Sequence, residues 1–242
     1  MEAIRTVGLT KAYRDTVAVQ PLDLSVHQGE LFSLLGVNGA GKTTTIKMLC
    51  GITRPSGGDA FLDGNSILTQ AQQVKSIIAV SPQETAVAPG LTVQENLLLM
   101  AGVCGFSRAR QKEKAADMIR QFGFEKVQGK RAGKLSGGWQ RRLSIAMALI
   151  SEPRILFLDE PTLGLDVLAR ADLWDMIRSL KGKVTIVLTT HYMEEAEALS
   201  DRVGIMKEGK MLICGTPDAI MQAADTQDFE QAFVRIVRGE GL

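Results

Sequence analysis

Residues 36–44, GVNGAGKTT, restrict the fold of this chain more than any other segment. They follow a dense apolar run, residues 30–35, and lead into the helix-compatible stretch TTTIKMLCG. The pattern G-x-x-x-x-G-K-[ST] runs from Gly36 to Thr43. In such a loop successive backbone N–H groups face one concavity, and the following helix adds its positive end. The segment therefore predicts a strand, a phosphate-binding loop and a helix that together bind a nucleoside triphosphate.

Two side chains of this loop have distinct predicted tasks. Lys42 is expected to reach the outer phosphates, and the Thr43 hydroxyl is expected to ligate Mg²⁺. The residues predicted to contact the nucleotide from this loop are Gly36, Asn38, Gly39, Ala40, Gly41, Lys42, Thr43 and Thr44.

Further apolar runs predict an α/β fold. Buried strands are expected at 77–80, 155–158, 184–188 and 203–206, and helical patterns separate several of them. A mostly parallel sheet covered by helices is the simplest architecture for that order. Residues 3–35 alternate apolar and polar positions between turn signals, which predicts short half-buried strands.

We predict a single domain over residues 1–242. Its nucleotide-binding core comprises 1–83 and 151–215, and residues 84–150 form an inserted helical subdomain because their apolar residues recur at helical spacing. Residues 216–242 form a C-terminal helical tail. In that tail Thr216 and Pro217 resemble an N-cap and first helical position, and Gly239 is expected to end the last helix.

Polar residues follow three of the predicted strands. RILFLDE, residues 154–160, ends in two carboxylates: Asp159 would hold Mg²⁺ through water, and Glu160 would polarise the attacking water. Gln83 and His191 follow two other strands and are expected at the same sheet edge as the phosphate loop. Taken alone, a His or Gln at such a place is more often a satisfied structural residue.

A second glycine segment, LSGGWQ at 135–140, precedes the helical pattern of residues 139–150. Ser136, Gly137 and Gly138 would present unpaired amides and a helix dipole to an anion, although an ordinary serine N-cap explains the same residues. One triphosphate has little need of two such sites in one chain. We therefore expect a symmetric pair in which each second loop closes over the partner's nucleotide.

Composition limits the classes of partner that the sequence predicts. Lys plus Arg (28) nearly equals Asp plus Glu (27), so no global positive field favours nucleic acid, and we expect no nucleic-acid partner. The three cysteines are too few for a disulfide framework. No signal peptide or apolar run of membrane length is visible. The protein is expected to be soluble, with any membrane-spanning part on another chain.

In their order along the chain, these elements resemble the ATP-binding subunit of an ABC transporter. The resemblance covers about residues 4–215. Its elements are Tyr13 as the adenine-stacking aromatic, GVNGAGKTT as Walker A, Gln83 in SPQ, LSGGWQ as the signature, ILFLDE as Walker B, Asp166 in the D-loop GLD, and His191 as the switch histidine.

The family implies a P-loop NTPase core, an N-terminal antiparallel β subdomain and an inserted helical subdomain. It also implies a head-to-tail dimer with ATP and Mg²⁺ held between Walker A of one copy and the signature of the other. Gln83 would sense Mg²⁺ and the permease, Asp166 would link the two sites, and His191 would contact the γ-phosphate. Trp139 departs from the family, which usually has a smaller residue there.

LTVQENLLLMAGVCGF, THYMEEAEALSDRV and DFEQAFVRIV resemble the branch that serves drug, antibiotic, polysaccharide and lipid exporters. The implied location is the cytoplasmic face of a membrane, through a separate permease. Two alternatives stay open at this point: a nucleic-acid-associated ABC ATPase, and a regulatory module without significant turnover.

Overall fold

The computed structural model describes residues 1–240, and they fold into strands and helices that follow the predicted α/β order. The strands are β1 Glu2–Tyr13, β2 Thr16–His27, β3 Leu31–Leu35, β4 Gly57–Leu62, β5 Asn65–Ser66, β6 Ile78–Ser81, β7 Ile155–Asp159, β8 Thr185–Thr190, β9 Arg202–Lys207 and β10 Lys210–Gly215. The helices are α1 Lys42–Leu49, α2 Ala71–Ile77, α3 Val93–Val103, α4 Arg108–Phe122, α5 Gly137–Leu149, α6 Val167–Leu180, α7 Met193–Leu199, α8 Pro217–Ala223 and α9 Phe229–Arg238.

The central sheet has the strand order β10-β9-β3-β8-β7-β6. Every neighbouring pair in it is parallel except β9 and β10, which are antiparallel. Strands β3, β7 and β8 are buried along their whole length, which explains why apolar residues dominate them. Their polar residues are Ser33 within β3, Asp159 at the end of β7 and threonines at both ends of β8. The predicted mostly parallel sheet is confirmed.

A second, antiparallel sheet has the order β2-β1-β4-β5, which confirms the predicted N-terminal antiparallel unit. The expectation of short strands in residues 3–35 was wrong, because β1 and β2 each span 12 residues. Register shifts interrupt their pairing, for example between Thr6 and Leu9. Such bulges let a strand continue while it bends, so turn-like residues inside it need not end it.

Helices α3, α4 and α5 fill the segment between β6 and β7. Thr92 begins α3 with a reciprocal capping box, in which its side chain accepts from Glu95 N–H and the Glu95 carboxylate accepts from Thr92 N–H. Apolar residues of the three helices pack into one cluster that continues to β7 and β8. The segment is helical as expected, while the division of the chain at residues 83 and 150 remains a prediction.

The C-terminal helices pack on the core. Thr216 caps α8 by accepting from Ala219 N–H at 3.1 Å, and Pro217 occupies its first turn. Helix α9 buries Phe229, Phe233 and Ile236, as the sequence predicts, and Gly239 ends it with φ +78°. Residues 241–242 of the predicted tail lie outside the described residues.

Across residues 1–240, no helix combines the length and the apolar character that crossing a bilayer demands.

The parallel strands bring four loops to one sheet edge. Register pairs Leu35 at the end of β3 with Thr190 at the end of β8, and Thr189 in turn pairs with Asp159 at the end of β7. Ser81 ends β6 beside β7. In a parallel sheet the loops that follow the carboxyl ends of the strands lie at the same edge. Polar residues from four segments that are distant in sequence therefore lie close together here.

Candidate functional site

The glycine loop after β3 depends on backbone conformations that other residues rarely adopt. Gly39 and Gly41 have φ of +82° and +103°. A Cβ on Gly41 would lie 2.6 Å from the carbonyl oxygen of Ala18 in β2. Gly41 is the N-cap of α1 and carries no capping side chain, so the start of the helix is open to an anionic ligand.

The loop forms the wall of a cavity of about 640 Å³. The cavity is lined by Tyr13, Ala18, Asn38, Gly39, Ala40, Gly41, Lys42, Thr43, Thr44, Gln83, Glu160, Leu163 and His191. Most of the predicted site residues thus meet in one place. Gly36 and Asp159 stand behind this wall, and each contacts a residue that lines the cavity.

Lys42 is a buried cation at the cavity. Its ammonium donates to the carbonyl oxygen of Gly36 at 2.7 Å, and Nζ lies 3.6 Å from Glu160 Oε1. Burial lowers the pKa of Lys42, while the nearby carboxylates of Glu160 and Asp159 oppose that shift. A buried ammonium beside open backbone amides is chemistry that suits phosphate oxygens.

The Thr43 and Asp159 side chains place two oxygen atoms side by side next to the cavity. Asp159 Oδ1 accepts from Thr43 Oγ1 at 3.1 Å and from Thr189 Oγ1 at 2.5 Å. Hydroxyl and carboxylate oxygens at this spacing are the donor set that Mg²⁺ prefers, so the residues present fit the predicted ion. Gln83 lines the same cavity and contributes an amide oxygen.

Glu160 follows β7 in a left-handed conformation, with φ +48°. For a residue with a side chain this costs about 1–2 kcal/mol. The strain is held by Thr189, whose carbonyl oxygen and hydroxyl both accept from Glu160 N–H at 3.1 Å. His191 Nδ1 lies 2.5 Å from Glu160 Oε2, where the ring N–H donates to the carboxylate. The turn therefore aims the carboxylate between Lys42 and His191.

Tyr13 stands at the outer rim of the cavity, with 46% of its surface exposed. Lys11 Nζ lies 4.8 Å from the centroid of its ring, which is cation–π distance. An exposed aromatic ring at the mouth of the cavity has the chemistry to stack on a planar base.

Sequence reasoning missed Arg141, which is 3% exposed. Its guanidinium donates to the carbonyl oxygens of Asp159 at 2.7 Å, Pro161 at 2.8 Å and Gln83 at 3.2 Å, and also to that of Pro82. Burial lowers its pKa to about 10, so it stays protonated at neutral pH. Helical spacing could have found it, because Arg141 shares a face of α5 with the buried Ile145.

Ser136, Gly138 and Asp166 line a different cavity, of about 280 Å³, between α5 and the start of α6. Ser136 is the N-cap of α5 but makes no side-chain capping bond. A Cβ on Gly138 would lie 2.9 Å from Ala169 Cβ, so glycine lets the two helices approach. Asp166 caps α6 by accepting from Ala169 N–H at 2.9 Å. Gly137 is exposed at the first position of α5.

Trp139, the departure from the family pattern, packs away from the phosphate loop. Its ring lies 5.8 Å from that of Phe124, between centroids, and 4.8 Å from the guanidinium of Arg142. The bulky ring packs against the apolar cluster of α3, α4 and α5 and also lines the cavity that contains Ser136 and Gly138.

Comparison with known proteins agrees with this geometry. The sequence profile of the family described as ABC transporter matches residues 19–163. The Nod factor export ATP-binding protein I of Burkholderia orbicola is 42% identical over 218 residues, which are 89% of this chain and 71% of that protein. The chain belongs to the ABC transporter family.

Two further relatives extend the comparison. The daunorubicin/doxorubicin resistance ATP-binding protein DrrA of Streptomyces peucetius is 43% identical over 215 residues, 88% of this chain, although the chain spans only 65% of that relative's length. A solved structure of an ATP-binding subunit of an ABC transporter superposes with a TM-score of 0.84 at 28% identity, covering 97% of this chain and 99% of that one. The predicted family and P-loop α/β fold are confirmed, and the chain is an ABC-type ATPase domain that binds ATP.

Proposed function

We propose that this ABC protein hydrolyses Mg·ATP and thereby drives a separate membrane permease, as the ATP-binding subunit of an exporter. Its relatives are named for drug resistance and for Nod factor export, which supports the export direction. It would act at the cytoplasmic face of a membrane, where the permease holds it.

ATP would bind in the cavity that the glycine loop lines. Tyr13 would stack on the adenine, and Lys42 would pair with the outer phosphates. The remaining contacts would come from the loop residues Gly36, Asn38, Gly39, Ala40, Gly41, Thr43 and Thr44. The open amides at the start of α1 and the buried ammonium support this arrangement.

Hydrolysis would depend on Glu160. Mg²⁺, held by Thr43, Gln83 and Asp159, would supply charge neutralisation on the phosphate oxygens. The Glu160 carboxylate would take the proton of the attacking water, and His191 would hold that carboxylate in place and contact the γ-phosphate. The strained turn at Glu160 keeps the base aimed into the cavity before substrate arrives.

A second copy of the chain would complete each site. Ser136, Gly137 and Gly138 would bind the partner's nucleotide, and Asp166 would connect the two sites. The signature lines a cavity other than that of the phosphate loop, and its exposed helix start has no capping side chain, which supports this role. Closure of such a pair on ATP, and reopening after hydrolysis, would move the permease.

The observation that carries the proposal is the contact of Glu160 with both Lys42 and His191 at the wall of the loop cavity. The test replaces the base: Glu160→Gln should bind Mg·ATP, form a stable dimer with it and lose turnover. The matched control is Glu113→Gln on the exposed face of α4, which should keep wild-type turnover. Turnover of Glu160→Gln at the wild-type rate, or no dimer at high ATP concentration, would refute the proposal.

A further inference from the structure

Arg141 ties together three segments that are distant in sequence. It lies in α5, and its guanidinium contacts the backbone of residues 82–83, which follow β6, and of residues 159–161, which follow β7. Each acceptor is a carbonyl oxygen. The buried guanidinium keeps all of these hydrogen bonds only while α5 and both loops stay in the same position relative to one another.

The carbonyls that it holds belong to the residues next to the chemistry. Gln83 lines the nucleotide cavity, and Asp159 precedes the base Glu160. The same helix begins with Gly137 and Gly138 in the signature, only about one turn before Arg141. A second bond on α5, between the hydroxyls of Ser144 and Ser81 at 3.0 Å, fastens the helix to the end of β6. A shift at the start of α5 is therefore passed to both loops.

We propose that Arg141 is a positioning residue that couples the two nucleotide sites of the dimer. When the signature of one copy closes on its partner's ATP, Arg141 brings residues 82–83 and 159–161 of its own chain into the hydrolytic arrangement. By the same link, those loops hold the signature of their own chain in place over the partner's ATP, because coupling between two sites is reciprocal. This inference rests on the dimer of the proposed function. It assigns Arg141 no contact with ATP.

The geometry favours arginine for this task. Its rigid planar group carries five N–H donors, and here Nε, Nη1 and Nη2 each reach a different carbonyl oxygen. A lysine ammonium at the end of a flexible stem can satisfy one of the two loops but cannot span both. Arg141→Lys therefore keeps the positive charge but loses the hydrogen bonds that link the two loops.

The first experiment measures steady-state ATPase activity of the full chain. Arg141→Met and Arg141→Lys should both lower kcat by about 10- to 100-fold, because misplaced catalytic groups have effects of that size, with little change in KM or in Mg·ATP affinity. Arg120→Met, an arginine on the exposed side of α4, is the control and should leave kcat unchanged. Melting temperatures establish that each variant is folded, and Arg141→Lys, which keeps the charge, serves if Arg141→Met does not fold.

The second experiment uses mixed dimers, purified through two different tags and assayed in a single turnover. In the first, one copy carries Arg141→Lys and the other Glu160→Gln, so that the only active site lies in the chain that lacks Arg141. In the second, both substitutions lie in one copy, so that the active site has its own Arg141 but faces a signature helix without one.

Coupling predicts a loss of rate in both mixed dimers. A loss confined to the first dimer overturns coupling between sites, because Arg141 would then serve only its own loops. A normal rate in both, or an equal loss of Mg·ATP affinity and of rate, also overturns it. If Glu160→Gln with Arg141 intact forms no dimer, the proposed function itself fails. That failure can be told apart from a failure of the Arg141 proposal, because it occurs without any change at Arg141.

Discussion

Substitution of two glycines of the phosphate loop by alanine separates backbone strain from steric contact. At Gly39, φ is +82° and an added Cβ meets no atom within 4 Å. At Gly41, φ is +103° and the Cβ would lie 2.6 Å from the Ala18 carbonyl oxygen and 3.4 Å from Gly209 Cα. A third atom, Val19 Cγ2, would lie at 3.4 Å. The closest atom, the Ala18 carbonyl oxygen, belongs to the backbone and cannot move aside by a side-chain rotation.

The two substitutions should therefore differ in their effect on stability. Gly39→Ala should lower the free energy of unfolding by about 1–2 kcal/mol, the cost of the left-handed conformation. Gly41→Ala carries that cost and an overpacking cost of about 1–3 kcal/mol, about 2–5 kcal/mol in total. The smaller unfolded-state entropy of alanine is common to both and cancels in the comparison.

Denaturant unfolding without nucleotide measures this difference. The midpoint for Gly41→Ala should fall below that for Gly39→Ala at an unchanged denaturant slope. Omitting nucleotide matters because a ligand that binds only the folded state would add its own stabilisation. If Gly41→Ala proves as stable as Gly39→Ala, the close approach of β2 to the loop does not constrain residue 41, and the reasoning is refuted.

Two further substitutions test buried and capping groups. Glu195 is 0% exposed and accepts a hydrogen bond from Trp174 Nε1 at 3.1 Å, and burial raises the pKa of its carboxyl group. The unfolded chain therefore loses this proton first as the pH rises above the ordinary carboxyl value of 4.5. Over that range the wild type should lose stability relative to Glu195→Gln. Unfolding of both proteins at about pH 5 and about pH 8 measures this difference, and equal pH dependences would contradict it. Thr92→Ala should cost about 0.5–2 kcal/mol because it breaks the capping box with Glu95, whereas the exposed Thr69→Ala should cost little, and equal melting temperatures for the two would contradict the capping role.

Local patterns predicted much of the fold. The runs that end at Leu35, Asp159 and Thr190 are central strands because a strand buried on both faces is mostly apolar. Buried polar residues within them, such as Ser33 and Thr189, have hydrogen-bond partners. The capping residues of α8 and the glycine after α9 were also predictable, because caps act within one helical turn. The lengths of β1 and β2 were not, since bulges depend on the partner strand.

Part of the candidate site could be predicted because the glycine loop and the two carboxylates act through local sequence. The contact of His191 with Glu160 required the structure, since it joins the ends of two strands that are neighbours only in the sheet. Trp139 is a similar case: its identity is visible in the sequence, but its packing on Phe124 depends on how α4 meets α5.

The sequence by itself determined a strand, a glycine loop and a helix at residues 31–49, because chain stiffness, glycine conformation and apolar period act over a few residues. Only the tertiary structure decided which distant groups meet. Residue 41 must be glycine because it lies beside Ala18, and Arg141 is surrounded by carbonyl oxygens from two distant loops. Both contacts depend on distances between segments, which close packing of the interior fixes and local sequence does not.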